Sequence, residues 1–159
     1  MQIPKKQKII GEKEAFLKAC MFCAYQERTQ NEVREKLYGM GLKKDVVEEL
    51  ISKLITENFI NEERFAKTYA GGKFRIKRWG RIKILEGLKQ KRISEYCIKK
   101  GLQEITEEDY LDTIATLIEN KWSLSVEEDI FKKKNKVATY LIGKGFEPDL
   151  VWEALKSLK

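Results

Sequence analysis

Three stretches of this 159-residue chain align on one another without a gap: EVREKLYGMGLKKDVVEELISKL (32–54), KILEGLKQKRISEYCIKKGLQEI (83–105) and KVATYLIGKGFEPDLVWEALKSL (136–158). The coincident positions are apolar. Val33 matches Ile84 and Val137, Leu37 matches Leu88 and Leu141, and Leu42 matches Ile93 and Phe146. Val47, Ile98 and Val151 follow, and Leu54, Ile105 and Leu158 close the set. Apolar identity kept at fixed spacing, while the polar residues between it change, marks one packing unit used three times. The spacing within each copy is helical, with no persistent alternation of the kind a strand needs. A period near fifty residues built from helices therefore predicts an all-α fold, an elongated array of three tandem three-helix repeats. A unit that small buries too little surface to stand alone, so the three must support one another.

Boundaries follow from caps and turns. A first helix is predicted over about 12–27, with Phe16, Leu17, Cys20, Cys23 and Ala24 inward. Thr29 opens the second, with Glu32 three residues on as in a capping box, and Gly39-Met40-Gly41 closes it with the residue type that suits a left-handed cap. A third helix spans about 43–57, and Asn61 caps a fourth over about 61–77. Thr106 opens the first helix of the last unit, about 107–121, carrying Tyr110, Leu111, Ile114, Leu117 and Ile118. The expected division is a tail at 1–11 and repeats at 12–58, 59–105 and 106–159.

Charge is the second strong pattern. The net charge is +7, but residues 73–100 carry +9 and residues 101–129 carry −8. KFRIKRWGRIKILEGLKQKR (73–92) supplies most of the basic excess, through Lys73, Arg75, Lys77, Arg78, Arg81, Lys83, Lys89, Lys91 and Arg92. If about 80–91 is helical, Ile82, Leu85 and Leu88 face the core. Arg81, Lys83, Lys89 and Lys91 then point outward, around a helix–helix corner at Gly80. Such a patch repels itself unless something compensates it. Two compensators are available, the acidic segment 104–129 folding back and an external polyanion or acidic protein; the alternative is a plain solvated face. Lys132, Lys133, Lys134 and Lys136 form a second patch, a weaker site or a solvated face. Phe74, Trp79, Trp122 and Trp152 read as packing residues, with Trp79 also placed where a base could stack.

Chemistry is sparse. The chain has no histidine, hence no imidazole base or ligand, and it lacks glycine-rich phosphate loops and hydrolase motifs. Cys20 and Cys23 form a CxxC inside a helical pattern, which reads as packing rather than as a zinc or redox site. The expectation is a non-enzyme without metal or cofactor. No apolar run is long enough to span a bilayer, and MQIPKKQKII is unlike a signal peptide, so a cytoplasmic protein is expected. A modular array gives no reason to expect more than a monomer.

The phrase FINEERFA (Phe59, Ile60, Asn61, Glu62, Glu63, Arg64, Phe65, Ala66) and the run through Gly80, Ile82, Leu85, Leu88, Lys91, Arg92 and Ile93 resemble the RecX family. The resemblance extends over about 12–159. Arg92 stands where that family usually has glycine, Asn61 replaces the commoner aspartate, and the KKKNK run of the last unit matches loosely. The resemblance implies three units of three helices. It also implies a regulator of recombination and DNA repair, which binds the RecA nucleoprotein filament in its groove and inhibits its ATPase, strand-exchange and coprotease activities. Some members of the family touch DNA as well. A plain DNA- or RNA-binding protein is the alternative that the charge pattern leaves open.

Overall fold

The computed structural model describes residues 10–158. Among them are nine helices and no strand: α1 (Glu12–Tyr25), α2 (Gln30–Tyr38), α3 (Lys44–Thr56), α4 (Glu62–Arg75), α5 (Arg81–Gln90), α6 (Glu95–Leu102), α7 (Glu107–Leu124), α8 (Ile130–Gly143) and α9 (Pro148–Leu155). Residues 1–9 of the expected N-terminal tail lie outside the described residues, and Ile10 packs against the first core.

Helix starts follow the sequence signals. Thr29 and Glu32 form a reciprocal capping box on α2, which satisfies two otherwise orphaned amides. Asn61, Ser94, Thr106 and Asp129 each accept the N–H three residues on, at the heads of α4, α6, α7 and α8. Pro148 opens α9, where its missing N–H costs nothing.

The repeat is real in three dimensions. Val33, Ile84, Val137, Leu37, Leu88, Leu141, Val47, Ile98 and Val151 are all buried. The same turn closes the second helix of each unit, with Gly41 at φ 84°, Arg92 at 60° and Gly145 at 96°. Arg92 thus adopts the left-handed geometry that the other units give to glycine. In the second and third units the following amide reaches back five residues, Ile93 N–H to Leu88 and Phe146 N–H to Leu141, closing the helix ends.

Two cores result. Ala15, Ala19, Cys23, Val33, Leu37, Met40, Val47, Leu50, Ile51, Leu54 and Ile60 make one, within α1–α3 and the connection to α4. The other runs unbroken through α4–α9, from Phe65 to Leu155. Within it α4 and α6 approach closely: a Cβ on Gly101 would run into the Ala66 carbonyl and side chain.

Several expected orientations are corrected. On α1 the buried stripe is Ala15, Ala19 and Cys23, while Leu17 and Ala24 face solvent. The helix packs by close approach through small residues, so Phe16 and Phe22 flank the contact while Leu17, Met21 and Tyr25 are left outside. Leu111 and Trp152 are exposed. Ile82 lies on the outer side of α5, whose buried residues are Ile84 and Leu88.

Candidate interaction surface

The basic stretch crosses from α4 to the turn after α5, and the fold treats its nine cations in three ways. Three are held by carboxylates. Arg81, expected to point outward, turns inward: its guanidinium lies 3.0 Å from Glu107 and 2.9 Å from Glu147, its side chain 29% exposed, stacked 3.8 Å above the Tyr110 ring. Lys91 reaches Glu32 of the first unit at 3.1 Å, and Arg75 meets Glu104 at 3.9 Å. Burial opposes the Arg81 charge, but the hydrogen bonds it donates to Glu147 and Glu107 overcome it and lift its pKa above the ordinary value. Arg81 is therefore a joint, and its charge is already answered.

Two more cations are fixed on an aromatic ring. Lys73 Nζ and Lys83 Nζ lie 4.8 Å and 4.6 Å from the centroid of Trp79, which is half-buried against the large core. The remaining four, Lys77, Arg78, Lys89 and Arg92, are exposed. They do not form one corner. Lys77 and Arg78 precede α5, whereas Lys89 and Arg92 stand at its far end, about 14 Å away for a ten-residue helix rising ~1.5 Å per residue.

The acidic segment does fold back on part of the basic one. A cleft of about 410 Å³ has Phe74, Arg75 and Arg78 on one wall and Asp109, Asp112, Thr113 and Thr116 on the other. Behind it Tyr110 is fully buried and stacks on Phe74 at 5.8 Å and on Phe146 at 5.4 Å between ring centroids. Its hydroxyl donates to Glu147 at 2.7 Å and accepts the Arg81 N–H at 3.0 Å. Burial, with help from Glu147, pushes the phenol pKa upward, so Tyr110 stays a donor. Gly80 N–H donates to the Lys144 carbonyl at 2.8 Å, and Ile82 N–H to that of Gly145 at 3.0 Å. A side chain on Gly80 would collide with the Gly145 carbonyl. Gly80 was legible as a junction. Tyr110 was legible only as a core residue, and Glu147 carried no signal beyond its charge.

The second basic patch lies on the first turns of α8. Lys133 sits 4.3 Å from the Trp122 centroid and Lys136 pairs with Glu127 at 3.1 Å, while Lys132 is exposed and Lys134 half-buried. The CxxC packs: Cys23 is buried and Cys20 partly so. Burial raises both thiols, Cys23 to about 11, the reverse of what a reactive thiolate needs. Among the described residues no three His, Cys, Asp or Glu side chains converge as metal ligands, and no helix is long and apolar enough to cross a membrane.

This architecture is a tandem array of three-helix units with a basic second unit. Residues 15–54, 61–102 and 107–155 match, in order, the first, second and third three-helix domains of RecX. The chain belongs to the RecX family. It is 32% identical over 146 residues to the "Regulatory protein RecX" of Bacillus cytotoxicus, covering 92% of this chain and 54% of that one. It is also 32% identical over 160 residues to that of Clostridium tetani, covering 97% and 71%. The chain thus spans about half the length of its Bacillus relatives. The crystal structure of RecX from Lactobacillus salivarius superposes with a TM-score of 0.85 at 26% identity, over 92% of this chain and 96% of that one.

Proposed function

We propose that this protein is a regulator of homologous recombination and DNA repair that binds the RecA filament and inhibits its ATPase, strand-exchange and coprotease activities. The observation that carries the reading is the complete set of three RecX domains in order along the chain. The repeats divide near 58/59 and 105/106, and the protein acts as a cytoplasmic monomer without metal or cofactor. Three linked units offer a long surface suited to lying along a polymer rather than enclosing a small molecule.

Within that surface the second unit supplies the charge. Lys77, Arg78, Lys89 and Arg92 are the cations left exposed at the two ends of α5, and Lys73 and Lys83 flank Trp79 between them. Arg81 and Lys91, also expected at the site, serve it by tying the second unit to its neighbours, and Arg75, paired with Glu104 inside the second unit, stays largely exposed. The exposed cations face carboxylates of the filament or phosphates of the DNA it holds, and either contact weakens as salt rises.

The test is co-sedimentation with RecA filaments on single-stranded DNA, for the wild type and a Lys77→Glu/Arg78→Glu/Lys89→Glu variant. These side chains are exposed, so the fold should persist. Filament binding should fall at least tenfold. Undiminished binding would place the contact elsewhere. Tight, salt-steep binding to naked DNA without binding to the filament would favour the plain nucleic-acid binder.

A further inference from the structure

α7 has eighteen residues where the opening helices of the other units have fourteen. Its last turn, the connection to α8 and the first turn of α8 carry exposed apolar residues. Leu124 is 78% exposed, Val126 96%, Ile130 51% and Phe131 76%. Large apolar side chains grouped this closely are unusual on a free surface. The solvated-face reading of the second basic patch does not account for them.

Beside them lies a slot of about 290 Å³ between α7 and α8, lined by Lys121, Leu124, Ser125, Lys136 and Val137. Leu124 and the buried Val137 are its apolar lining residues, and its charged ones are two lysines and no acid. The neighbouring ammonium groups are held in place. Lys121 Nζ is 4.0 Å from the Tyr140 centroid, and Lys133 is fixed on Trp122. Lys136 pairs with Glu127 at 3.1 Å, a partly exposed pair worth little in water that an incoming carboxylate would displace, and Asp129 caps α8.

We propose that this slot seats an acidic protein segment that inserts a large apolar side chain between Lys121 and Lys136, its carboxylates meeting the lysines on the rim. The argument is charge complementarity around an apolar floor. A nucleic-acid backbone would satisfy the lysines but bury none of Leu124, Val126 or Phe131. An anionic bilayer would have to accept the whole connection, including Glu127, Glu128 and Asp129. This surface belongs to the third unit and is separate from the basic residues around α5. Resting on the RecA-filament reading above, it assigns the filament protein a second contact, of a different chemistry.

The experiment compares wild type, Leu124→Asp/Phe131→Asp and Lys121→Glu/Lys136→Glu for half-maximal inhibition of RecA ATPase on single-stranded DNA. All four side chains lie outside the buried core, and circular dichroism checks that each variant is folded. Each pair should raise the half-inhibiting concentration at least tenfold, while binding of the protein to naked single-stranded DNA changes less than twofold. Inhibition within twofold of wild type in both variants would overturn the proposal and leave the filament reading standing. Two further results would overturn it in the same way. One is binding to phosphatidylglycerol vesicles that Leu124→Asp/Phe131→Asp abolishes without affecting inhibition. The other is a wild-type dimer in sedimentation that the same variant dissolves without affecting inhibition. No inhibition by wild type would sink the filament reading, and this proposal with it.

Discussion

The two joints between the three units are built differently. The second and third units share one core: Tyr110 of α7 stacks on Phe74 of α4 and on Phe146 after α8, and Gly80 and Gly145 bring two backbones into hydrogen-bonded contact. The first and second units meet through Phe59 and Ile60, which pack into the first core, and otherwise across polar contacts. Arg64 pairs with Glu27, Lys91 with Glu32, and Glu62 accepts the Gln30 N–H at 3.5 Å. Apolar burial is insensitive to salt, whereas partly exposed ion pairs are weak and screened by it. One chain therefore carries a fused second and third unit, and a first unit with its own core joined to them by a short apolar anchor and ion pairs.

The comparison can be broken at the fused joint first. Tyr110→Ala removes a fully buried aromatic ring and should cost ~3–5 kcal/mol in chemical denaturation. Gly80→Ala forces a side chain against the Gly145 backbone and should cost about 2–3 kcal/mol, even though a helix N-terminus ordinarily tolerates alanine better than this. The polar joint should respond less. Arg64→Ala leaves Glu27, one of whose oxygens is already buried without a partner, and should cost roughly 1–2 kcal/mol. A fluorescence distance measured between the first and second units should also broaden as salt rises from about 0.1 to 1 M, which shortens screening from ~10 to ~3 Å. A pair spanning the second and third units should not change. The smallest effect has the opposite sign. Arg92 holds φ 60° where the sister units have glycine, so Arg92→Gly should stabilise by ~0.5–1 kcal/mol in thermal unfolding, relief of strain being partly offset by a freer unfolded chain.

Much of this was legible in the residues. The matched apolar columns are buried apart from Leu42 and Leu158, which are partly so, and Thr29, Asn61 and Thr106 cap the helices they were expected to cap. What periodicity could not supply was the partner of each face. α1 buries Ala15 and Ala19 rather than Leu17 because close helix approach rewards small side chains, and that depends on what the helix packs against. Arg81 looked like an outward cation because its carboxylates, Glu107 and Glu147, are 26 and 66 residues away. The same distance in sequence hid the two-core division. The exposed Leu124, Val126 and Phe131 pass in a sequence for ordinary core residues, and only the structure leaves them uncovered.

The most direct test of the central claim is the ATPase rate of the same organism's RecA on saturating single-stranded DNA, titrated with this protein. The rate should fall at protein concentrations well below that of the DNA sites, because action on a filament needs far fewer molecules than competition for DNA. An unchanged rate up to saturation of those sites, with the protein bound to naked DNA in parallel, would contradict it.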